Sequence, residues 1–320
     1  MSEIAIGIDV GGTGTKGALV RSTGEVLERI ERPTEPQAAT KSVIAVAEAL
    51  AGRAAELDEV PRAVGVGAAG FVEHSTGSVT FSPNLIYDDR HLATAVGIRL
   101  GLPVTVENDA NAAAWGETMF GAAQGCDHVV VVTLGTGIGS GFVIDGRLLR
   151  GKTGAGAELG HMVIDPAGPP CPCGLRGCFE QLASGSAITR MARSAAQNDP
   201  DSLMIELAGA ADQIDGTHVA AAAAQHDETA MRVLRSAGRS LAIGLSNVVN
   251  LFDPEVIVLG GGAVEAGEPY LGVARDELAK MTTAQRRRPV RVDLAALGND
   301  AGIVGAAALA LMELSERENR

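Results

Sequence analysis

The apolar positions of this 320-residue chain fall into short β-like runs that alternate with longer stretches of helical period. Strand patterns occupy Ile4–Ile8, Gly17–Arg21, Val26–Arg32, Ala63–Gly67, Val104–Val106, Val129–Leu134, Gly141–Ile144, Val256–Leu259 and Val290–Leu294. Helical patterns cover Ala38–Glu56, Ala110–Phe120, Ala187–Gln197, Asp201–Ala211, His218–Gln225, Asp227–Asn250 and Ala301–Glu313. Such alternation predicts an α/β protein whose helices cover mixed sheets.

An internal repeat refines that picture. The segment Asp9–Val20 aligns without gaps on Thr133–Ile144, with Gly11 against Gly135 and Gly17 against Gly141. Each copy reads as an apolar strand, a Gly/Thr turn and a second apolar strand. The repeated unit is therefore a β-hairpin, once in each half of the chain, which suggests two lobes of similar topology.

Composition narrows the class. Hydrophobic residues make up 46% of the chain and aromatics only 3%, so the core is built from small side chains packed closely. A net charge of -13 argues against a nucleic-acid partner. The short basic run Arg286–Pro289 reads as a solvated loop before a strand. The first residues form a polar tag and a strand, not a signal peptide. The apolar run Ala301–Met312 is too short to span a membrane. These features lead us to expect a soluble cytoplasmic protein with reduced thiols and no membrane partner.

Residues 158–180 carry the most specific chemistry. They contain Glu158-Leu-Gly-His161 and then Cys171-Pro-Cys173-Gly-Leu-Arg-Gly-Cys178-Phe-Glu180. Three thiolates and one imidazole make a closed tetrahedral zinc site, structural because no position stays open. The intervening Pro/Gly-rich loop has little core of its own, and a metal supplies the missing folding energy. A disulfide and plain buried thiols are the competing readings; Cys171 and Cys173 are too close for an easy mutual bridge. Glu158 and Glu180 flank the ligands, so the zinc would shape a polar site. Cys126 stands apart as a small core residue.

The glycine turns supply a second kind of chemistry. They present backbone N–H groups and hydroxyls in a concave arrangement, without a Cβ to keep phosphate away. Two such hairpins could clamp a triphosphate, with Asp9 at a strand end to hold Mg²⁺ directly or through water. A third turn, Gly260-Gly261-Gly262, follows the strand Val256–Leu259 and could cover the nucleoside. Two motif matches fail on context. Gly146–Thr153 fits the P-loop pattern but is followed by Gly154-Ala-Gly156, not a helix. The GxGxxG spacing at Gly12/Gly14/Gly17 runs into a strand, and that at Gly65/Gly67/Gly70 into polar turn residues.

Glu107-Asn-Asp109-Ala-Asn111 joins a strand to a helix. Asn108 or Asp109 would serve as an N-cap. Alternatively Asp109 faces a cleft, and the helix N-terminus keeps it ionised to act as a base.

Taken together, these residues resemble the ROK family of sugar kinases, most closely its bacterial glucokinases. The resemblance spans the chain and rests on Asp9-Val-Gly-Gly-Thr13, Glu107–Asn111, Leu134–Gly139, Glu158–His161 and Cys171–Glu180. It implies an actin-like/hexokinase-like (ribonuclease H-like) two-lobed α/β fold with the active-site cleft between lobes. The implied lobes are 1–107 plus 300–320, and 108–299 with the zinc loop 158–180. ATP with Mg²⁺ would meet Asp9, Gly11, Gly12, Thr13, Lys16, Gly135, Thr136, Gly137, Gly261 and Gly262. Asp109 would be the base that deprotonates the 6-hydroxyl of glucose. Asn84, Asn108, Asp109, Glu158, His161 and Glu180 would bind the sugar, and His161, Cys171, Cys173 and Cys178 the structural Zn²⁺. His161 would then serve both, one nitrogen on zinc and the other on the sugar.

One departure stands out. Ile86-Tyr87-Asp88-Asp89 replaces a tryptophan-containing stretch of many relatives, which bears on sugar preference and on Asn84. Another hexose or amino sugar as acceptor, and polyphosphate as donor, are the alternatives. A sugar-sensing repressor is the reading from another class; an N-terminal helix-turn-helix has no room before Asp9. The family habit implies a homo-oligomer, a dimer or tetramer.

Overall fold

A computed structural model describes residues 2–281 and 286–319. The chain divides into two compact units. Unit 1 comprises Met1–Val131, Gly141–Ala157 and Ala295–Arg320; unit 2 comprises Val132–Ser140 and Glu158–Leu294.

Unit 1 is built on a five-stranded sheet in the order β3-β2-β1-β4-β7. The strands are β1 (Ile4–Val10), β2 (Gly14–Arg21), β3 (Val26–Pro33), β4 (Ala63–Ala68) and β7 (Val104–Asn108). β1 pairs antiparallel with β2 and parallel with β4, and β4 pairs parallel with β7. A two-stranded sheet joins β5 (Phe71–Glu73) to β6 (Ser78–Phe81).

The alternation along β1 explains the two faces of this sheet. Ile4, Ile6, Ile8 and Val10 point one way and pack with Val43, Val46, Ala47 and Leu50 of helix α1 (Ala39–Glu56). Burying each Ile, Val or Leu of this set contributes about 1.5–3 kcal/mol. Ala5 and Gly7 point the other way, toward the last helix, α10 (Ala301–Glu318). There the strand and helix backbones nearly touch. A Cβ on Gly7 would lie 2.2 Å from the Ile303 carbonyl oxygen, and one on Gly65 of β4 would lie 1.9 Å from that of Ala306. The small residues that the composition pointed to are here the condition for close helix–sheet packing.

The second five-stranded sheet runs β10-β9-β8-β11-β12. Its strands are β8 (Val129–Leu134), β9 (Ile138–Ile144), β10 (Arg147–Leu148), β11 (Val256–Gly260) and β12 (Arg291–Leu294). Chain order within the two sheets matches strand for strand. The hairpin repeat holds to the residue: β1 ends at Val10 as β8 ends at Leu134, and β2 begins at Gly14 as β9 begins at Ile138.

Between them lie α2 (Leu92–Leu100) and α3 (Asp109–Phe120) in unit 1, and α4 (Glu180–Ala183), α5 (Gly185–Ala196), α6 (Leu203–Ala208), α7 (Gly216–Ala224), α8 (Glu228–Phe252) and α9 (Glu268–Met281) in unit 2. Asp227 caps α8 through the Ala230 N–H at 2.7 Å. The helix expected over Asp201–Ala211 is shorter, because Gly209 turns left-handed (φ 82°) and ends it. Helices α2 and α9 escape the pattern reading: α2 carries Gly97 and α9 carries Pro269 and Gly272, which blur the helical period. Among the described residues no helix is long and apolar enough to cross a membrane.

Candidate functional site

Unit 1 brings Asp9, Asn108 and Asp109 together at the carboxyl ends of parallel neighbours. Asp9 is the penultimate residue of β1, and its register partner on β4 is Gly67. Gly67 is in turn opposite Glu107 on β7, which runs directly into α3. Open α/β sheets bind ligands at this edge. Asn108 is the N-cap of α3, its Oδ1 accepting the Asn111 N–H at 3.1 Å. Its Nδ2 donates to the Gly70 carbonyl at 3.1 Å and to Asp109 Oδ1 at 3.0 Å. The Ala110 N–H also donates to Asp109 Oδ1, at 2.9 Å.

The electrostatics differ from the expectation that a helix N-terminus keeps Asp109 ionised. Burial pushes the Asp109 carboxyl above its ordinary value, and the bonds from Ala110 and Asn108 only partly offset this. Asp9 is pushed up to about 7, first by burial and then by the charge of Asp109, against the pull of Lys16. Lys16 is the register partner of Asp9 on β2. A carboxylate whose proton affinity a second carboxylate raises could join it as a donor set for a divalent cation, whose charge would relieve the repulsion.

Gly11, Gly12 and Thr13 form the loop of the first hairpin, closed by the Gly11 N–H on the Gly14 carbonyl at 3.0 Å. Asn84 lies exposed on the segment after β6, clear of these contacts.

Unit 2 brings together the second hairpin, Glu180 and the cysteine cluster. The ligand atoms of His161, Cys171, Cys173 and Cys178 all lie within 4.8 Å of one another. Cys171 Sγ is 3.7 Å from His161 Nδ1, and Cys173 Sγ is 3.6 Å from Cys178 Sγ. Two sulfurs each about 2.3 Å from a tetrahedral zinc stand about 3.8 Å apart, so the cluster has the dimensions of a zinc site. None of the cysteines is in a disulfide. Loss of hydration pushes the Cys171 and Cys178 thiols up, whereas the Leu175 N–H draws Cys173 down. Metal binding here would therefore expel protons.

Glu180 links this cluster to the hairpin. Its Oε1 accepts from Cys171 Sγ at 3.3 Å and lies 3.8 Å from His161 Nδ1. Its Oε2 abuts Gly137, where an added Cβ would stand 2.7 Å away. Glu158 precedes the 3-10 turn Leu159–His161, and the Leu159 N–H donates to Ser140 of β9. Gly135, Thr136 and Gly262 line a cavity of about 950 Å³ with Gly185, Ser186 and Gly216. The last three belong to the first turns of α5 and α7, which Ser184 and Asp215 cap. Gly261 sits against the end of β8, its would-be Cβ 2.5 Å from the Leu134 carbonyl oxygen.

Sequence reasoning passed over Glu107 and Arg150. Glu107 lies inside a quoted motif, and Arg150 inside the rejected P-loop match, which the structure shows as a strand end and turns with no helix.

The fold and these motifs define an α/β protein of the actin-like/hexokinase-like class. The chain belongs to the ROK family, whose model matches residues 5–313. It is 41% identical over 313 residues to a glucokinase of Streptomyces coelicolor, covering 96% of this chain and 97% of that one. A glucokinase of Thermotoga maritima is 39% identical over 308 residues, 95% of this chain and 96% of its own. The crystal structure of a ROK family glucokinase from Streptomyces griseus, in complex with glucose and AMPPNP, matches with a TM-score of 0.84 and 39% identity. That match covers 97% of this chain and 99% of the other.

Proposed function

We propose that this protein is a glucokinase, transferring the γ-phosphoryl group of ATP to the 6-hydroxyl of glucose. The observation that carries the reading is the setting of Asp109: a buried carboxylate of raised proton affinity with two donors fixed on Oδ1. That arrangement leaves Oδ2 to take the hydroxyl proton as the oxygen attacks phosphorus. A proton affinity above that of an ordinary carboxylate suits a base working near neutrality. Full-length likeness to glucokinases supports the same substrate pair.

The remaining roles follow from donor chemistry. Asp9, with Lys16 beside it, would hold the Mg²⁺ that accompanies ATP, and the ion would neutralise phosphate charge. Gly11, Gly12, Thr13, Gly135, Thr136 and Gly137 would meet the phosphates through backbone N–H groups. Gly261 and Gly262 would meet the nucleoside in the 950 Å³ cavity. Asn84, Asn108, Glu158, His161 and Glu180 would take the sugar hydroxyls, and each paired hydroxyl adds selectivity among epimers. His161 would hold the zinc through one ring nitrogen and leave the other for a sugar hydroxyl, so that the metal would orient a substrate contact. We further read the protein as a cytoplasmic homo-oligomer that takes no nucleic acid, in keeping with free thiols and a charge of -13.

A coupled assay tests the reading: glucose 6-phosphate formed from glucose, ATP and Mg²⁺, with mannose, fructose and N-acetylglucosamine alongside and polyphosphate as an alternative donor. Preferred turnover of glucose with ATP is the expected result. Folded, zinc-loaded protein that turns over none of these pairs would overturn it.

A further inference from the structure

A buried ion pair stands directly behind the turn that carries Asp109. Glu107 is the residue of β7 before the N-cap, and only 3% of it is exposed. Both of its carboxylate oxygens are committed. Oε1 accepts the Asn108 N–H at 3.0 Å and Asn111 Nδ2 at 3.0 Å. Oε2 accepts Arg150 Nε at 2.5 Å. Arg150 comes from a different part of the chain, just beyond β10, and is about three-quarters buried.

The partners of Glu107 are the residues that hold Asp109. Asn108 donates to Asp109 Oδ1 through its side chain, while its backbone N–H is fixed by Glu107. Asn111 sits one turn into α3, bonded to the Asn108 side chain through its N–H and to Glu107 through its amide. The bonds therefore run without a break from Arg150 to Glu107, then to Asn108 and Asn111, and from Asn108 to Asp109. On the flank, His74 Nδ1 is 3.8 Å from Glu107 Oε2, and His74 Nε2 is 3.0 Å from Glu313 Oε1. Thr105 also donates to Glu313, at 2.8 Å. Helix capping needs none of this, since Asn108 Oδ1 already caps α3. A buried carboxylate and guanidinium are costly to desolvate, and a unique geometry is one reason to keep such a pair.

We propose that Arg150 and Glu107 are positioning residues for phosphoryl transfer, acting as one unit that aims the Asp109 carboxylate. The pair touches no substrate. It sets the angle at which β7 passes into α3, and so the direction in which Asp109 Oδ2 points. Reacting groups misplaced by about 1 Å lose on the order of a hundredfold in rate. The inference rests on the reading of Asp109 as the base.

The test is a set of variants assayed for glucose phosphorylation, with unfolding temperature and the glucose-induced rise in that temperature measured on each. Arg150→Met and Glu107→Gln should each lower kcat by about 10–100-fold with KM for glucose within about threefold of wild type. The glucose-induced rise in unfolding temperature should persist. Arg150→Lys keeps the charge and should recover part of the lost kcat, and it carries the test where Arg150→Met does not fold. The double variant Arg150→Met/Glu107→Gln should be no slower than the worse single one, because both remove the same restraint. Lower unfolding temperatures with wild-type kcat in the folded protein would mean a structural role only and overturn the proposal. So would losses that multiply in the double variant, or changes confined to KM. Asp109→Asn runs in parallel. If it retains turnover, the reading of the base fails; if it is inactive while the pair variants behave as wild type, only the positioning role fails.

Discussion

Asn108 Nδ2 lies 3.0 Å from Asp109 Oδ1, so the residue that caps α3 also steadies the carboxylate that follows it. One side chain thus links a folding device to a reactive group. Asn108→Asp keeps a capping oxygen but replaces the donor with a second negative charge. We expect α3 and the unfolding temperature to survive near wild type, with kcat down at least about tenfold and its acid limb moved to higher pH. An unchanged pH profile would separate Asn108 from Asp109.

Asp9 gives a prediction about stability. Its carboxyl ordinarily titrates near 3.8 and is pushed up to about 7 by burial and by Asp109. A group that binds its proton more tightly when folded stabilises below its unfolded value, and that stability is lost as pH rises through the folded value. Stability should therefore decline between about pH 4 and pH 7 on account of this residue. Asp9→Asn should raise the unfolding free energy at pH 8 by roughly 2 kcal/mol, after allowance for solvent, and change little at pH 4. Urea titrations at the two pH values check this. The same variant should lose ATP-dependent turnover, as expected where a site is held at a cost to stability.

Zinc removal should act locally. Chelation, or Cys173→Ser, deprives the Pro/Gly-rich segment 162–178 of its organising centre and frees His161 and Glu180 from their fixed orientation. KM for glucose should rise about tenfold or more, in line with lost metal-orienting contacts, and the unfolding temperature should fall. Metal analysis should give about one zinc per chain in the wild type and less in the variant. Full zinc content with an unchanged KM in Cys173→Ser would remove Cys173 from the ligand set.

Gly137→Ala places a methyl group 2.7 Å from Glu180 Oε2, closer than carbon and oxygen tolerate. The Glu180 carboxylate must move, and with it the oxygen that faces Cys171 and His161. We expect KM for glucose to rise as well as KM for ATP, each by about 5–30-fold, as a displaced hydrogen-bonding partner of about 1–2 kcal/mol would give. A change in the ATP constant alone would mean that Glu180 relaxes without consequence.

The sheets were legible in the sequence because strands such as β1 and β8 open with apolar runs, Ile4–Ile8 and Val129–Val132, buried on both faces. The hairpin repeat was legible for a stronger reason, since its glycines fall at the same offsets in both copies and both loops span three residues. The cysteine cluster was legible because its ligands are close in sequence. What stayed hidden was long-range. No local pattern brings Arg150 to Glu107, 43 residues apart. The sign of the Asp109 shift was misjudged for the same reason: the helix end that favours the anion is local, but the burial that outweighs it comes from the whole of unit 1. Helices α2 and α9 were missed because burial of a few residues, such as Leu92 and Val96 or Tyr270 and Leu271, is enough for a short helix in tertiary context.

The close seating of α10 on β1 and β4 has a consequence for the order of events during synthesis. Gly7 and Gly65 leave gaps on a face of the first sheet that otherwise carries Ala5, Ala18 and Val20, and Ile303, Val304, Ala307 and Leu311 cover it. The ribosome makes those two strands well before it reaches their cover. Until Ala301–Glu318 emerges, unit 1 holds an unfinished sheet, whereas the segments of unit 2 precede that helix in the chain. The usual amino-to-carboxyl sequence of domain maturation is thus reversed in this chain, and the nascent first unit is the one that a chaperone would have to shield.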